Sequence, residues 1–215
     1  MFHKILWGLA LVGAIAGTAG HAATVDIAVT DSNGAPAAFA VVGLSPEEST
    51  AVPVPHTPEK GVIDQRHETF LPLVVIVRRG GHVVFTNNDA TMHQVYSFSP
   101  IRQFQFEIDE GQVSKPVEFD KPGVAAIGCN IHDNMVAYVY VADEPFAAVT
   151  DATGHAQIAD VPEGSYLART WHPQLRIGRT PPPSHLAVKG DRVKLSLSIP
   201  LTRMPAMSRM HKSDY

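Results

Sequence analysis

The sequence predicts an all-β protein of two units, a Greek-key barrel or sandwich followed by a second, small β-sandwich. Three observations predict it. Apolar and polar residues alternate with a period of two along many short runs, as Val25, Ile27 and Val29 do against Asp26 and Thr30. Turn formers punctuate those runs closely, with 16 Gly and 17 Pro in a chain of 215 residues. Beyond the first residues, no stretch carries a helical period.

Taken in order, the chain opens with Met1-Phe2-His3-Lys4, an apolar run from Ile5 to Ala19 and small residues to Ala23. This predicts a signal peptide over residues 1–22, with an apolar core too short to span a bilayer and with Gly20 and Ala22 at the cleavage positions. The expectation is a periplasmic protein with no membrane attachment after cleavage. Residues 23–142 form the first unit. Within it Asp31-Ser32-Asn33-Gly34 is a turn before the run from Phe39 to Leu44, and residues 46–66, with Pro46, Pro53, Pro55 and Pro58, are expected as an irregular loop. Leu73–Val77 and Val83–Phe85 are strands about the turn Arg78–Gly81. Phe104, Phe106 and Ile108 alternate with Gln105, Glu107 and Asp109, and Val117 and Phe119 lead into the turn Lys121-Pro122-Gly123. The runs Val124–Cys129 and Val136–Val141 flank one short loop.

A boundary is expected near Asp143-Glu144-Pro145, followed by a β unit over 143–200 with a turn at Asp151–Gly154 and alternation at Val193, Leu195, Leu197 and Ile199. That unit is small for an independent core without disulfides, so it either packs on the first unit or borrows strands from residues 24–45. Residues 201–215 are expected as a flexible tail. Its Met204, Met207, Met210 and His211 offer soft donors for cuprous ion, though a frayed basic end is the ordinary interpretation.

Seventeen basic against twenty-one acidic residues give a formal charge of −4 with no basic stripe, which argues against nucleic acid as a partner. The single cysteine is more informative. An exported chain normally pairs its cysteines, and a lone thiol in an oxidising compartment calls for a metal or a chemical role. Cys129, His132 and Met135 follow one another at intervals of three, and His93 lies upstream at a separate strand end. One thiolate, two imidazoles and a thioether are the donors of a type 1 copper site, with Cys129, His93 and His132 equatorial and Met135 axial. Zinc favours a harder fourth donor, and calcium or magnesium needs carboxylates. A Cys129–His132 nucleophile pair would lack an oxyanion donor and an orienting residue, so no enzyme activity is expected. Asn87, Asn88, Asp89 and Gln94 are candidates to orient His93 or to tie the ligand loops together.

At these residues the chain resembles the cupredoxins, over about residues 67–142. Val83-Val84-Phe85-Thr86-Asn87 before His93, and the Cys-x-x-His-x-x-Met loop of Cys129 to Met135, are similar to that family's pattern, with amicyanin-like spacing. Gly128-Cys129-Asn130-Ile131-His132-Asp133 followed by a second β unit also resembles cupredoxin-like methylamine utilisation proteins. The resemblance implies a Greek-key barrel holding one copper ion and periplasmic transfer of single electrons, with methylamine oxidation as a candidate system. It implies redox protein partners such as a dehydrogenase or a cytochrome c, and His132 as the edge through which electrons pass. The alternative kept beside it is a periplasmic copper chaperone or sensor. Three positions depart from the pattern: Gln94 after the first histidine, Gly128 before the cysteine, and Asp133, whose carboxylate could become a further ligand and make the site non-blue. The stretch Val149–Tyr166 with Trp171-His172-Pro173 resembles the transthyretin-like or carboxypeptidase-regulatory sandwich, and Val29 to Val41 has a similar cadence. Both ends of the chain would then complete one sandwich, with Trp171 and His172 as core and edge residues.

Overall fold

The structure, a computed structural model, describes residues 22–48, 57–176 and 178–201, and all of its regular elements are strands. In chain order they are β1 (Ala22–Asp31), β2 (Val41–Pro46), β3 (Lys60–Gln65), β4 (Phe70–Leu71), β5 (Val74–Arg78), β6 (Gly81–Asn87), β7 (His93–Ser99) and β8 (Arg102–Ile108). The second half holds β9 (Val117–Phe119), β10 (Gly123–Cys129), β11 (Val136–Ala142), β12 (Phe146–Val149), β13 (His155–Pro162), β14 (Gly164–Trp171), β15 (Ser184–Val188) and β16 (Arg192–Ile199). The expected leader over 1–22 lies outside the described residues except for Ala22, as does the tail beyond Leu201 with its methionines. Among the described residues no helix is long and apolar enough to cross a membrane.

Two sandwiches result. One stacks the four-stranded sheet β4-β3-β6-β9 on the five-stranded sheet β5-β11-β10-β7-β8. Their inner faces close over a core built around Phe70, Phe85, Phe119, Ile63 and Ile127. Distant strands lie side by side in both sheets, β5 beside β11 and β6 beside β9, which is the long-connection topology of Greek-key sandwiches. The other sandwich stacks β13-β1-β16 on β12-β2-β14-β15 around Ile27, Leu44, Phe146 and Ile199.

Residues 22–46 pair with strands downstream of residue 145, β1 with β13 and β16, β2 with β12 and β14. The expected first unit beginning at residue 23 is therefore not how the sheets divide. The β1 alternation that marks a half-buried strand is satisfied by the second sandwich, because Val25, Ile27 and Val29 all enter that core. The expected irregular loop over 46–66 is also corrected. Lys60–Gln65 forms β3, parallel to β6 from Lys60↔His82 to Gln65↔Asn87. The prolines that suggest irregularity stop at Pro58, and Ile63 and Gln65 point into the core on alternate positions.

The sandwiches share a wall. Along β5, Val75 and Val77 face the first core while Val74 and Ile76 face the second unit, and β11 divides Ala137, Val139 and Val141 from Tyr138, Tyr140 and Ala142 in the same way. Trp171, at the end of β14, packs edge-on against Tyr138 at 5.6 Å and tilted against Tyr140 at 5.9 Å between ring centroids. Behind it, burial and the nearby Glu144 carboxylate push the Tyr140 hydroxyl well above its ordinary pKa, so it stays a neutral donor.

His172 seals the edge of this wall. It is buried, its Nε2–H donates to the Ala38 carbonyl at 2.8 Å, and its Nδ1 accepts the Gln174 N–H at 3.0 Å. Burial holds its pKa below the ordinary 6.5, against the opposing effect of the Ala38 carbonyl. A depressed histidine stabilises the fold where it is neutral in both states, so this contribution is present above pH 6.5 and is lost as pH falls from there through the folded value. We expect denaturant midpoints to decline below pH 6.5 and His172→Gln to flatten that decline, as read by unfolding curves across the range. An unchanged slope in the variant would assign the decline to other groups.

Candidate metal centre

Antiparallel pairing of β7 with β10 builds the site. The register places Cys129 opposite Val95 and Gly128 opposite Tyr96, so His93, two residues before Val95, starts its strand beside the last residue of β10. The chain then turns through residues 130–135 into β11, with the Met135 N–H closing on the His132 carbonyl at 3.0 Å. Gly128 lets the Tyr96 ring lie across the strand, since a Cβ there would come within 2.6 Å of the ring and displace it.

His93, Cys129 and His132 converge, with one potential ligand atom from each lying within 4.8 Å of the others. His93 is fully buried, Cys129 is 3% exposed, and the His132 side chain is 23% exposed. The His93 Nδ1 lies 3.7 Å from the Cys129 Sγ, and the two imidazole centroids are 5.2 Å apart. Met135 is 2% exposed and belongs to the same core cluster as Cys129. Asp133 stands exposed on the loop, lining a surface recess with Tyr96 and Met135, and is not part of the convergence.

These donors fit a soft metal ion. The Nδ1 of His132 is buried without a hydrogen-bond partner, an arrangement costing about 1–3 kcal/mol unless something else accepts its lone pair. A cation bound by that nitrogen, the His93 Nδ1 and the thiolate removes the deficit. With metal bonds of about 2.3 Å to sulfur and 2.0 Å to nitrogen, a trigonal arrangement separates the two donors by about 3.7 Å, the separation between Cys129 and His93.

The outward ring nitrogens meet carboxylates. Asp89 Oδ2 holds the His93 Nε2 at 2.9 Å, and the same carboxylate accepts the N–H groups of His67 at 2.5 Å and Glu68 at 2.9 Å. Burial opposes its ionisation, but the donations from Glu68, His93 and His67 prevail and keep its pKa below the ordinary carboxylate value. The other three candidates separate by role. Asn87 is buried and shapes the histidine loop, giving its Nδ2 hydrogens to the Thr91 and Ile108 carbonyls and accepting the Asp89 N–H. Gln94 ties the ligand loops, its Oε1 accepting from Asn130 Nδ2 at 2.7 Å and its carbonyl accepting the Asn130 N–H. Asn88 instead bonds Asp64 on β3 at 2.6 Å.

One neighbour carried no sequence signal. Glu68 Oε1 lies 3.5 Å from the His132 Nε2, across 64 positions of chain. Only the pairing of β3 beside β6 brings that turn to the ligand end of the sheet.

No family model matches the chain, and no curated protein matches it. Among solved structures it is similar to the copper-containing nitrite reductase of Thermus scotoductus SA-01, with 21% identity and a TM-score of 0.37 over 39% of this chain, and it spans only 22% of that one. It is similar to a purple cupredoxin from Nitrosopumilus maritimus, with 21% identity and a TM-score of 0.34 over 38% of this chain and 99% of that one. Amicyanin from Paracoccus versutus gives 20% identity and a TM-score of 0.36, over 46% of this chain and 98% of that one. Each likeness covers less than half of this chain.

Removing the Asp89 carboxylate strands two backbone N–H groups and one ring nitrogen. Asp89→Ala is expected to lower the free energy of unfolding by about 1–3 kcal/mol, and Asp89→Asn, which keeps one acceptor, by less. Chemical denaturation of the metal-free chain reads both.

Proposed function

We propose that this chain is a copper protein that carries single electrons between protein partners, holding one ion at a type 1 site made by His93, Cys129, His132 and Met135. The observation that carries the reading is the convergence of two imidazoles on one buried thiol, with the His93 Nδ1 3.7 Å from the sulfur and the His132 Nδ1 buried without a hydrogen-bond partner. Bound there, copper would supply a one-electron couple, and no bond to a substrate need form or break.

The protein's part is to hold the donors still. Cys129 ends a strand paired on both sides, His93 begins one, and Met135 is buried in the core cluster that includes Cys129, which limits how far the ligands would rearrange between oxidation states. The small reorganisation that fast electron transfer needs follows from that pinning. Burial of Cys129 and His93 excludes water and other thiols, while partial exposure of His132 leaves one ligand edge near the surface. Ile131 and Met92, each next to a histidine ligand, are exposed apolar side chains of the kind that contact a partner briefly.

The proposal extends to the cell on sequence grounds. The leader-like residues 1–22 support a periplasmic location, where a dehydrogenase and a c-type cytochrome would be suitable donor and acceptor. The amicyanin-like ligand spacing makes methylamine oxidation the first system to try.

Cupric salt added to the chain is expected to bind at one ion per molecule, giving an intense thiolate-to-copper visible band and a reversible one-electron wave in voltammetry. Cys129→Ser should abolish the band. Colourless cuprous binding that passes to an apo acceptor would instead indicate a chaperone or sensor, and failure to take up copper would defeat the reading.

A further inference from the structure

The connection between β3 and β4 is a tight hairpin. Gln65 pairs with Phe70, Arg66 and Thr69 exchange backbone hydrogen bonds at 3.0 and 3.1 Å, and the two central residues are His67 and Glu68. Both have left-handed backbones, with φ of 53° and 52°. Two-residue hairpins of this kind favour Asn-Gly because each central residue must take a positive φ, which a Cβ resists. Here the positions carry a histidine and a glutamate. Strain kept in place by its surroundings directs attention to a role for what it displays.

The surroundings that keep it are the Asp89 oxygens. They accept both central N–H groups, and Oδ2 also grips the outer nitrogen of His93. The turn so held delivers the Glu68 carboxylate to the outer nitrogen of His132. One bend of the chain is thus fastened to the first imidazole and supplies a charge to the second. At 3.5 Å the Glu68 contact is long for a hydrogen bond, so it acts chiefly as a negative charge facing the ring.

We infer that Arg66–Thr69 is a positioning element for the metal centre, and that Glu68, acting through His132, favours the dipositive over the monopositive state of the bound ion. The inference rests on the copper reading above. A carboxylate behind each imidazole raises its donor strength and opposes loss of positive charge at the centre. An Asn-Gly turn would relieve the backbone and forfeit that charge.

The test uses the full chain loaded with copper, as wild type, Glu68→Gln, Glu68→Gly, and Glu118→Gln on β9 beside His82 at the other end of the sheet as control. Glu68→Gln is expected to shift the cupric-to-cuprous affinity ratio by about tenfold toward cuprous, raising the midpoint potential by about 59 mV for one electron. Glu118→Gln should leave it in place. Glu68→Gly should raise the potential equally while the unfolding midpoint holds or rises, because glycine accepts the positive φ, and a purely structural Glu68 would not separate the two readouts. A Glu68→Gln potential equal to wild type, with copper bound, overturns this inference and leaves the copper reading intact. If that variant takes up no copper, the His132 ring order parameter in the metal-free chain decides: a loosened ring supports the inference and an unchanged one overturns it. A wild-type chain that binds no copper removes both.

Discussion

Two residue pairs between β7 and β10 govern the centre. Gly128 opposite Tyr96 and Cys129 opposite Val95 place the thiol beside a histidine 36 positions away, at a separation suited to an intervening ion. Register in a half-buried sheet is all or none, since a slip of one residue would turn Cys129 and the core-facing Ile127 outward together. Packing of the hydrophobic core and placement of the ligand are therefore the same constraint. The missing side chain at Gly128 belongs to it, because the Tyr96 ring occupies the space and closes the strand pair.

The wider architecture serves rigidity in a similar way. β5 and β11 each present one face to each of two cores, so the sheet that carries the candidate site is buttressed from behind by Trp171 and its neighbours. A sheet packed on both sides bends less than one with a wet face, and the loop between β10 and β11 inherits that stiffness at its C-terminal end. Asp89 does for the loops what the double packing does for the strands. Its carboxylate joins a backbone turn from one sheet to a ligand on the other.

Much of this was legible in the residues. Period-two alternation marked β1, β8 and β16, and the spacing of Cys129, His132 and Met135 between two strand patterns marked the loop. The wall-forming strands were visible too, since Val74 to Val77 is a continuous apolar run of the kind that is buried on both faces. What could not be read was tertiary. Lys60–Gln65 has too few apolar residues to announce itself, and it becomes a strand because β6 offers a parallel edge. The sequence left open whether residues 24–45 join the first or the second unit, because β1 alternates equally well whichever core receives it. Asp89, Asn87 and Gln94 were visible as candidates, but their roles depend on carbonyls and side chains on other strands. Glu68 gave no signal, for no local pattern predicts that a histidine-glutamate pair will occupy a hairpin that favours asparagine and glycine.

The pairing of β2 with β12 has a thermodynamic side. Leu44 and Phe146 are paired neighbours, so the polypeptide between them, some 100 residues and the whole sandwich with the candidate site, leaves and returns through adjacent strands. While the outer sandwich stays folded, the inner one can only melt as a closed ring. Tethering ends of a ring that size removes disorder from the melted state worth about 4–5 kcal/mol on the scale of a covalent cross-link. A chain with a single cysteine thus obtains from hydrogen-bonded strands the kind of restraint that many small proteins draw from disulfides.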